Sequence, residues 1–213
     1  MHLQESPQRI RCTRQDLPRL AEIAAAAFLD YPETRFYFPQ ASTRERDARW
    51  LCETLLKVAL RKGEVYADPQ FRSCMAFLPP GVAPASNWEY ALAGYWQFLF
   101  RYGAAATRRI SNYNTCMDAK QHELMAGRRY YHLWLLAVHP QHQASGLGGH
   151  LLKALCAASD AEAKAVYLVT HTQANTRYYE RFGFEGLGVV EGPDQPPFWP
   201  MKREPLPADT AAL

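Results

Sequence analysis

Residues 137 to 155 read AVHPQHQASGLGGHLLKAL. An apolar run stops at Pro140, a polar turn follows, and Gly146, Gly148 and Gly149 stand where an amphipathic helix begins. Glycine is among the poorest helix formers, so three of them at a helix start need another reason. A helix N-terminus carries unpaired main-chain N–H groups and the positive end of the helix dipole. Glycine removes the Cβ atoms that would hold an anion's oxygens away from those groups. The chemistry that suits this pattern is the cradling of a phosphate or diphosphate.

Three phosphate-binding designs can be compared. A P-loop ends in Gly-Lys-Ser/Thr, whereas here His150 follows Gly148-Gly149. A dinucleotide fingerprint needs a third small residue where Leu151 stands, and an acidic residue ending the next strand, where Thr170 and His171 stand. The third pattern, Gln/Arg-x-x-Gly-x-Gly/Ala, is met by Gln143-Ala-Ser-Gly146-Leu-Gly148.

On these residues the chain resembles the GCN5-related N-acetyltransferase (GNAT) family. LAVHPQHQASGLGGHLL resembles that family's strand-loop-helix core, and AVYLVTHTQANTRYYERFGFE its next strand and short helix. PPFWPMKREP and MAFLPPG are similar to the puromycin acetyltransferase-like branch. The similarity is strongest over residues 130–204. Two positions depart from the family pattern: Ala144 stands where glycine is frequent, and Val169 where an acidic residue is frequent.

The resemblance implies a single α/β domain over residues 1–204. Its mixed sheet has about six to seven strands, splayed between the fourth and fifth, with helices on both faces. The acetyl-CoA core and closing hairpin span 130–204, and a variable helical insert for the acceptor spans 82–129. Acetyl-CoA is then the co-substrate, with no metal. Main-chain groups around Leu136, Ala137 and Val138 hold the pantetheine arm, and N–H groups of Gln143, Ala144, Ser145, Gly146, Leu147, Gly148 and Gly149 hold the pyrophosphate. Tyr178 and Asn175 stand near the cofactor, Asn175 either touching it or capping its helix.

Acetyl transfer needs a neutral amine, a polarised carbonyl and a proton for the leaving thiolate. A lysine-like amine, pKa about 10.4, is uncharged in only about one molecule in 2,500 at pH 7. A base or a desolvated site supplies the difference. By the family's placement, Tyr179, just before ERFGF, is the proton donor. His132, on the cofactor strand, is the first candidate base; Glu123, His171 and water relays stay open. Aromatic residues of 28–40 and 82–130, with Phe198 and Trp199, are expected to wall the acceptor pocket. The activity implied is direct attack by a small-molecule primary amine in a ternary complex. A protein lysine or N-terminal acetyltransferase and a non-catalytic acetyl-CoA-binding regulatory domain are the alternatives.

The elements that must position these groups can be read from the pattern. RIRC forms a short strand. Thr13, with Asp16 three residues on, caps a helix whose apolar face is Leu17, Leu20, Ile23, Ala24 and Ala27. LDYPETRFYFPQAS reads as a loop. A second helix, capped by Ser42 or Thr43, ends at Gly63. EVYAD and FRSCMAFLPPG are strands about a turn at Asp68–Pro69, SNWEYALAGYWQFLFRYG and residues 108–125 are helical, and RYYHLWLLAV is a strand covered on both faces. A helix starts near Ser145, AVYLVTH is a strand, and NTRYYERF is a short helix ending at Gly183. FEGLGVVE and FWPMKRE close a hairpin, and 205–213 form a flexible tail.

The bulk properties agree with this reading. At 213 residues with 48% hydrophobic, the chain can bury one substantial core. No 18-residue apolar run suggests a membrane span, and the N-terminus does not read as a signal peptide. The net charge of +3 is spread out, with only paired arginines at 108–109 and 128–129, which does not suggest nucleic-acid binding. Five scattered cysteines, none in CxxC, are expected to be reduced thiols of a cytoplasmic protein, monomeric or homodimeric. The seven histidines show no zinc spacing.

Overall fold

The computed structural model describes residue 3, residues 6–83 and residues 85–207. Among these, seven strands form one sheet: β1 (Ile10–Arg11), β2 (Glu64–Ala67), β3 (Ser73–Leu78), β4 (Tyr130–Val138), β5 (Ala165–Thr170), β6 (Glu185–Gly186) and β7 (Trp199–Arg203). Their order is β1-β2-β3-β4-β5-β7-β6. Only β4 and β5 run parallel; every other pairing is antiparallel.

The helices are α1 (Leu17–Phe28), α2 (Pro32–Tyr37), α3 (Ala41–Lys62), α4 (Asn87–Tyr90), α5 (Gln97–Met125), α6 (Leu147–Ala161) and α7 (Gln173–Glu180). A π-helical stretch, Ala91–Tyr95, continues α4, and α5 is broken at Gly103.

Alternate strand residues serve two cores, as the two-residue side-chain period requires. On β3, Met75 and Phe77 join Tyr131, Leu133, Leu151, Leu155, Leu168 and Tyr179 under α6 and α7. Cys74 and Ala76 join Leu20, Ala24, Cys52 and Leu56 under α1 and α3. The sheet is therefore covered on both faces, and β3 is buried along its whole length.

The central feature is where β4 and β5 part. Tyr130 to Leu133 pair with Ala165 to Leu168, and no further. Beyond that point β4 keeps only β3 as a neighbour, while Val169 and Thr170 pair with Pro200 and Trp199 of β7. A register shift accompanies the parting: Ala76 faces Leu135 and Phe77 faces Leu133, which leaves Trp134 without a partner on β3. Such a bulge adds local twist and bends its strand, turning the end of β4 away from β5. The splay expected between the fourth and fifth strands is present.

Three local expectations are corrected. The segment read as a loop after Phe28 contains α2: Tyr31 is extended, and Pro32 enters the first turn, where its missing N–H costs nothing. Neither Ser42 nor Thr43 caps α3, which already begins at Ala41 after Gln40 with no side-chain cap. Asn175 does not cap α7; Thr172 does, its hydroxyl accepting from the Asn175 N–H. The Thr13–Asp16 capping box forms, on a 3-10 turn leading into α1. Of the expected tail, Leu206 donates its N–H to Asp160 Oδ1 at 2.7 Å, and residues 208–213 lie outside the described residues.

Candidate active site

The loop between β4 and α6 follows from its backbone angles. A 3-10 turn, Pro140–His142, leads to Gln143 in an extended conformation. Ala144 then has φ 61° and Gly146 φ 81°, both left-handed. That conformation suits glycine and costs other residues about 1–2 kcal/mol, so Gly146 is required by its angle. Gly148 is tightly enclosed: a Cβ there would lie 3.0 Å from Val138 Cγ2 and 3.2 Å from the Tyr178 hydroxyl. The first turn of α6 is thereby pressed against the end of β4.

No side chain caps α6, and the first helical bond runs from the His150 N–H to the Gly146 carbonyl. Among the described residues, no acceptor serves the main-chain N–H groups of residues 144 to 149. They stand beside a cleft of about 960 Å³. Leu136, Val138, Gln143 to Gly149, Asn175, Tyr178 and Tyr179 all line it. Six consecutive donors without acceptors, at a helix N-terminus pressed against the open edge of β4, fit the diphosphate and arm of a coenzyme A thioester.

Tyr179 reaches this cleft from α7, its ring packed in the core beside Phe184. Its hydroxyl has no hydrogen-bond partner among the described residues, and burial pushes the phenol well above its usual range. It therefore stays protonated and free to donate. Burial also raises Tyr178, which carries the Arg181 guanidinium 5.0 Å from its ring centroid.

Two expected residues stand apart from the cleft lining. Ala137 is buried against the α1 side, so only its main chain can face the gap. His132 lies farther down β4, where Nδ1 accepts from the Trp134 indole N–H at 3.0 Å and lies 3.2 Å from Gln121 Nε2. With Nδ1 so occupied and burial pushing the ring down to about 3, His132 is a neutral imidazole.

Other groups at the cleft lay outside the expected site. Lys153, His150 and Arg181 bring cationic or imidazole groups to its rim. Lys153 falls on the Gly149 face of α6, a signal that helical spacing could have supplied. Tyr31 closes the cleft at the splayed end. Its oxygen accepts from the His171 N–H at 2.8 Å and from Asn175 Nδ2 at 3.2 Å, so its own proton goes to Thr170 Oγ1 at 2.8 Å. One phenol thus ties β5 to α7.

On the far side of Tyr31 lies an aromatic cluster of Tyr37, Phe38, Phe98, Tyr113 and Phe198. Among the described residues, no three His, Cys, Asp or Glu side chains gather as a metal site, and no helix is long and apolar enough to cross a membrane.

Residues 104–186 match the model of the acetyltransferase (GNAT) domain. The fold is similar to that of a histone acetyltransferase HPA2 and related acetyltransferase from Corynebacterium glutamicum, with TM-score 0.65 and 18% identity over 96% of this chain and 99% of that one. It is similar also to arylalkylamine N-acetyltransferase 2 from Aedes aegypti, with TM-score 0.61 and 10% identity over 92% of this chain and 98% of that one. The C-terminal condensation domain of Ebony, in complex with beta-alanyl-dopamine, has TM-score 0.61 and 9% identity over 92% and 98%. At these identities the likeness is one of fold.

Proposed function

We propose that the chain transfers an acetyl group from acetyl-CoA to the primary amine of a small molecule. The observation that carries this reading is the row of N–H groups at 144–149 without acceptors, on the same cleft as the free Tyr179 phenol. Acetyl-CoA supplies the activated acyl group. The chain's part is to hold the diphosphate on those N–H groups, with Lys153 and Arg181 adding positive charge. The open edge of β4 at Leu136, Ala137 and Val138 receives the arm and polarises the carbonyl. Tyr179 gives a proton to the departing sulfur, and Asn175 holds Tyr31 at the cleft's end.

His132 was the first candidate base. In this reading it positions the Trp134 indole at the bulge, and proton removal falls to a group nearer the splay. The packed aromatic cluster beyond Tyr31 favours an enclosed acceptor over an extended peptide. It also suits the puromycin acetyltransferase-like branch that PPFWPMKREP resembles.

The test is titration with acetyl-CoA, then thiol release with a panel of small amines and a lysine peptide. Release with small amines supports the reading. Release with the peptide alone makes the chain a protein acetyltransferase, and binding without release for any acceptor makes it a regulatory acetyl-CoA-binding domain.

A further inference from the structure

Beside the aromatic cluster beyond Tyr31 stands the carboxylate of Glu33, in the first turn of α2. Among the described residues no lysine or arginine pairs with it. Its neighbours are the Tyr37 hydroxyl, 2.9 Å from Oε1, and the His171 Nδ1, 3.9 Å from Oε2. The side chain is 29% exposed, and its charge raises the Tyr37 and Tyr113 phenols, which burial already pushes up.

Polar atoms of His171 and Tyr113 lack partners. His171 is 7% exposed and Tyr113 1%, yet His171 Nε2 and the Tyr113 hydroxyl are both buried without a hydrogen bond. The His171 ring packs against Tyr31, Tyr113 and Phe198, with centroids 5.4, 6.0 and 6.4 Å away. Nδ1 turned to the carboxylate favours the tautomer that leaves a lone pair on Nε2. Buried polar atoms are seldom left unpaired. A partly exposed carboxylate with no lysine or arginine partner among the described residues, near an imidazole lone pair and a free phenol, suits a compact cation with several N–H donors.

We propose that Glu33, His171 and Tyr113 form the seat of the acceptor's ammonium group, and that the acceptor is a primary alkylamine on an apolar or aromatic body. The proposal rests on the acetyl-CoA reading above and names its acceptor. Glu33 attracts the ammonium, the rings of Tyr31, Tyr113 and Phe198 receive the body, and one proton passes from the ammonium nitrogen to His171 Nε2, leaving a neutral amine. The resulting imidazolium faces Glu33. Tyr31 lines the cleft and packs on the His171 ring at 5.4 Å, so it touches both.

The probe is phenethylamine, with 2-phenylethanol as its uncharged counterpart. In the unaltered chain with acetyl-CoA bound, phenethylamine is expected to bind at least 10-fold more tightly than 2-phenylethanol. Glu33→Gln, whose amide oxygen still accepts from Tyr37, is expected to raise the amine KM at least 10-fold and leave acetyl-CoA affinity within about 2-fold. His171→Asn is expected to lower kcat about 100-fold at pH 7 and to recover as pH approaches the amine's own pKa, where no base is needed. The titratable groups facing His171 are Glu33 on α2, Tyr31 before it and Tyr113 on α5. An unchanged amine KM in Glu33→Gln, or equal binding of amine and alcohol, overturns this proposal while the acetyl-CoA reading stands. Failure of the unaltered chain to bind acetyl-CoA overturns both.

Discussion

Gly148 and Val138 approach so closely that a methyl group on the glycine would lie 3.0 Å from the valine Cγ2. This contact sets the first turn of α6 against the free end of β4, so the N–H donors and the open strand edge share one cleft. Gly148→Ala is expected to push the turn outward and weaken acetyl-CoA binding about 10-fold or more, with helix content retained. Ala144→Gly is expected to act oppositely: it relieves φ 61° and should raise stability by about 1 kcal/mol. Calorimetric titration and thermal unfolding of the two variants check both outcomes.

Tyr179→Phe removes a phenol that lines the cleft and has no hydrogen-bond partner among the described residues. Turnover should fall about 100-fold with acetyl-CoA affinity unchanged, because the ring still packs on Phe184. Tyr178→Phe, at a hydroxyl set against Gly148, should change kcat little. Steady-state kinetics with a good amine acceptor separate the two tyrosines.

His132 should resist protonation. Burial lowers its native value to about 3, while the unfolded chain takes up that proton near pH 6.5. Between those limits the unfolded state binds more protons, so this residue's contribution to stability falls as pH drops below about 6.5 and is constant above it. Ring resonances of His132 should not shift between pH 8 and pH 5, and His132→Asn should flatten that part of the stability profile. A normal titration near pH 6.5 would show that the imidazole is open to solvent.

Asp160 anchors the closing strand. Its oxygens accept from Arg203 Nη1 at 2.7 Å and Nη2 at 2.8 Å, and from the Leu206 N–H at 2.7 Å. Burial pushes the carboxyl up, yet these contacts outweigh it and hold it below its ordinary value. A depressed carboxylate stabilises above the unfolded value near pH 3.9 and loses that contribution as pH falls through the native one. Asp160→Asn leaves the buried Arg203 guanidinium without its charge partner and should cost about 3 kcal/mol at pH 7. The difference from the unaltered chain should shrink below about pH 4, as chemical unfolding at several pH values will show.

The glycine-rich turn between β4 and α6 was legible because its signals are local: glycines after an apolar strand, and an Asn-to-Tyr helix before Gly183. The capping box at Thr13 and the buried strands were legible for the same reason. What escaped was set by distant contacts. Asn175 looks like a cap in its own segment, but Tyr31, 144 residues earlier, draws its amide away and leaves the cap to Thr172. PETRFY looks like a loop because two prolines flank aromatic residues. Its helix is held by Tyr37 and Phe36 packing on Tyr113 of α5. No periodicity of so short a segment could announce Glu33 as the carboxylate among those rings.

The central claim is that the main-chain N–H groups of residues 144–149 receive the coenzyme's diphosphate beside Tyr179. Titration of the ¹⁵N-labelled chain with acetyl-CoA tests it most directly. The account predicts saturable shifts at the amides of residues 144 to 149, with smaller ones at Leu136, Val138 and Tyr179. Saturable binding that leaves those six amides unmoved would contradict it.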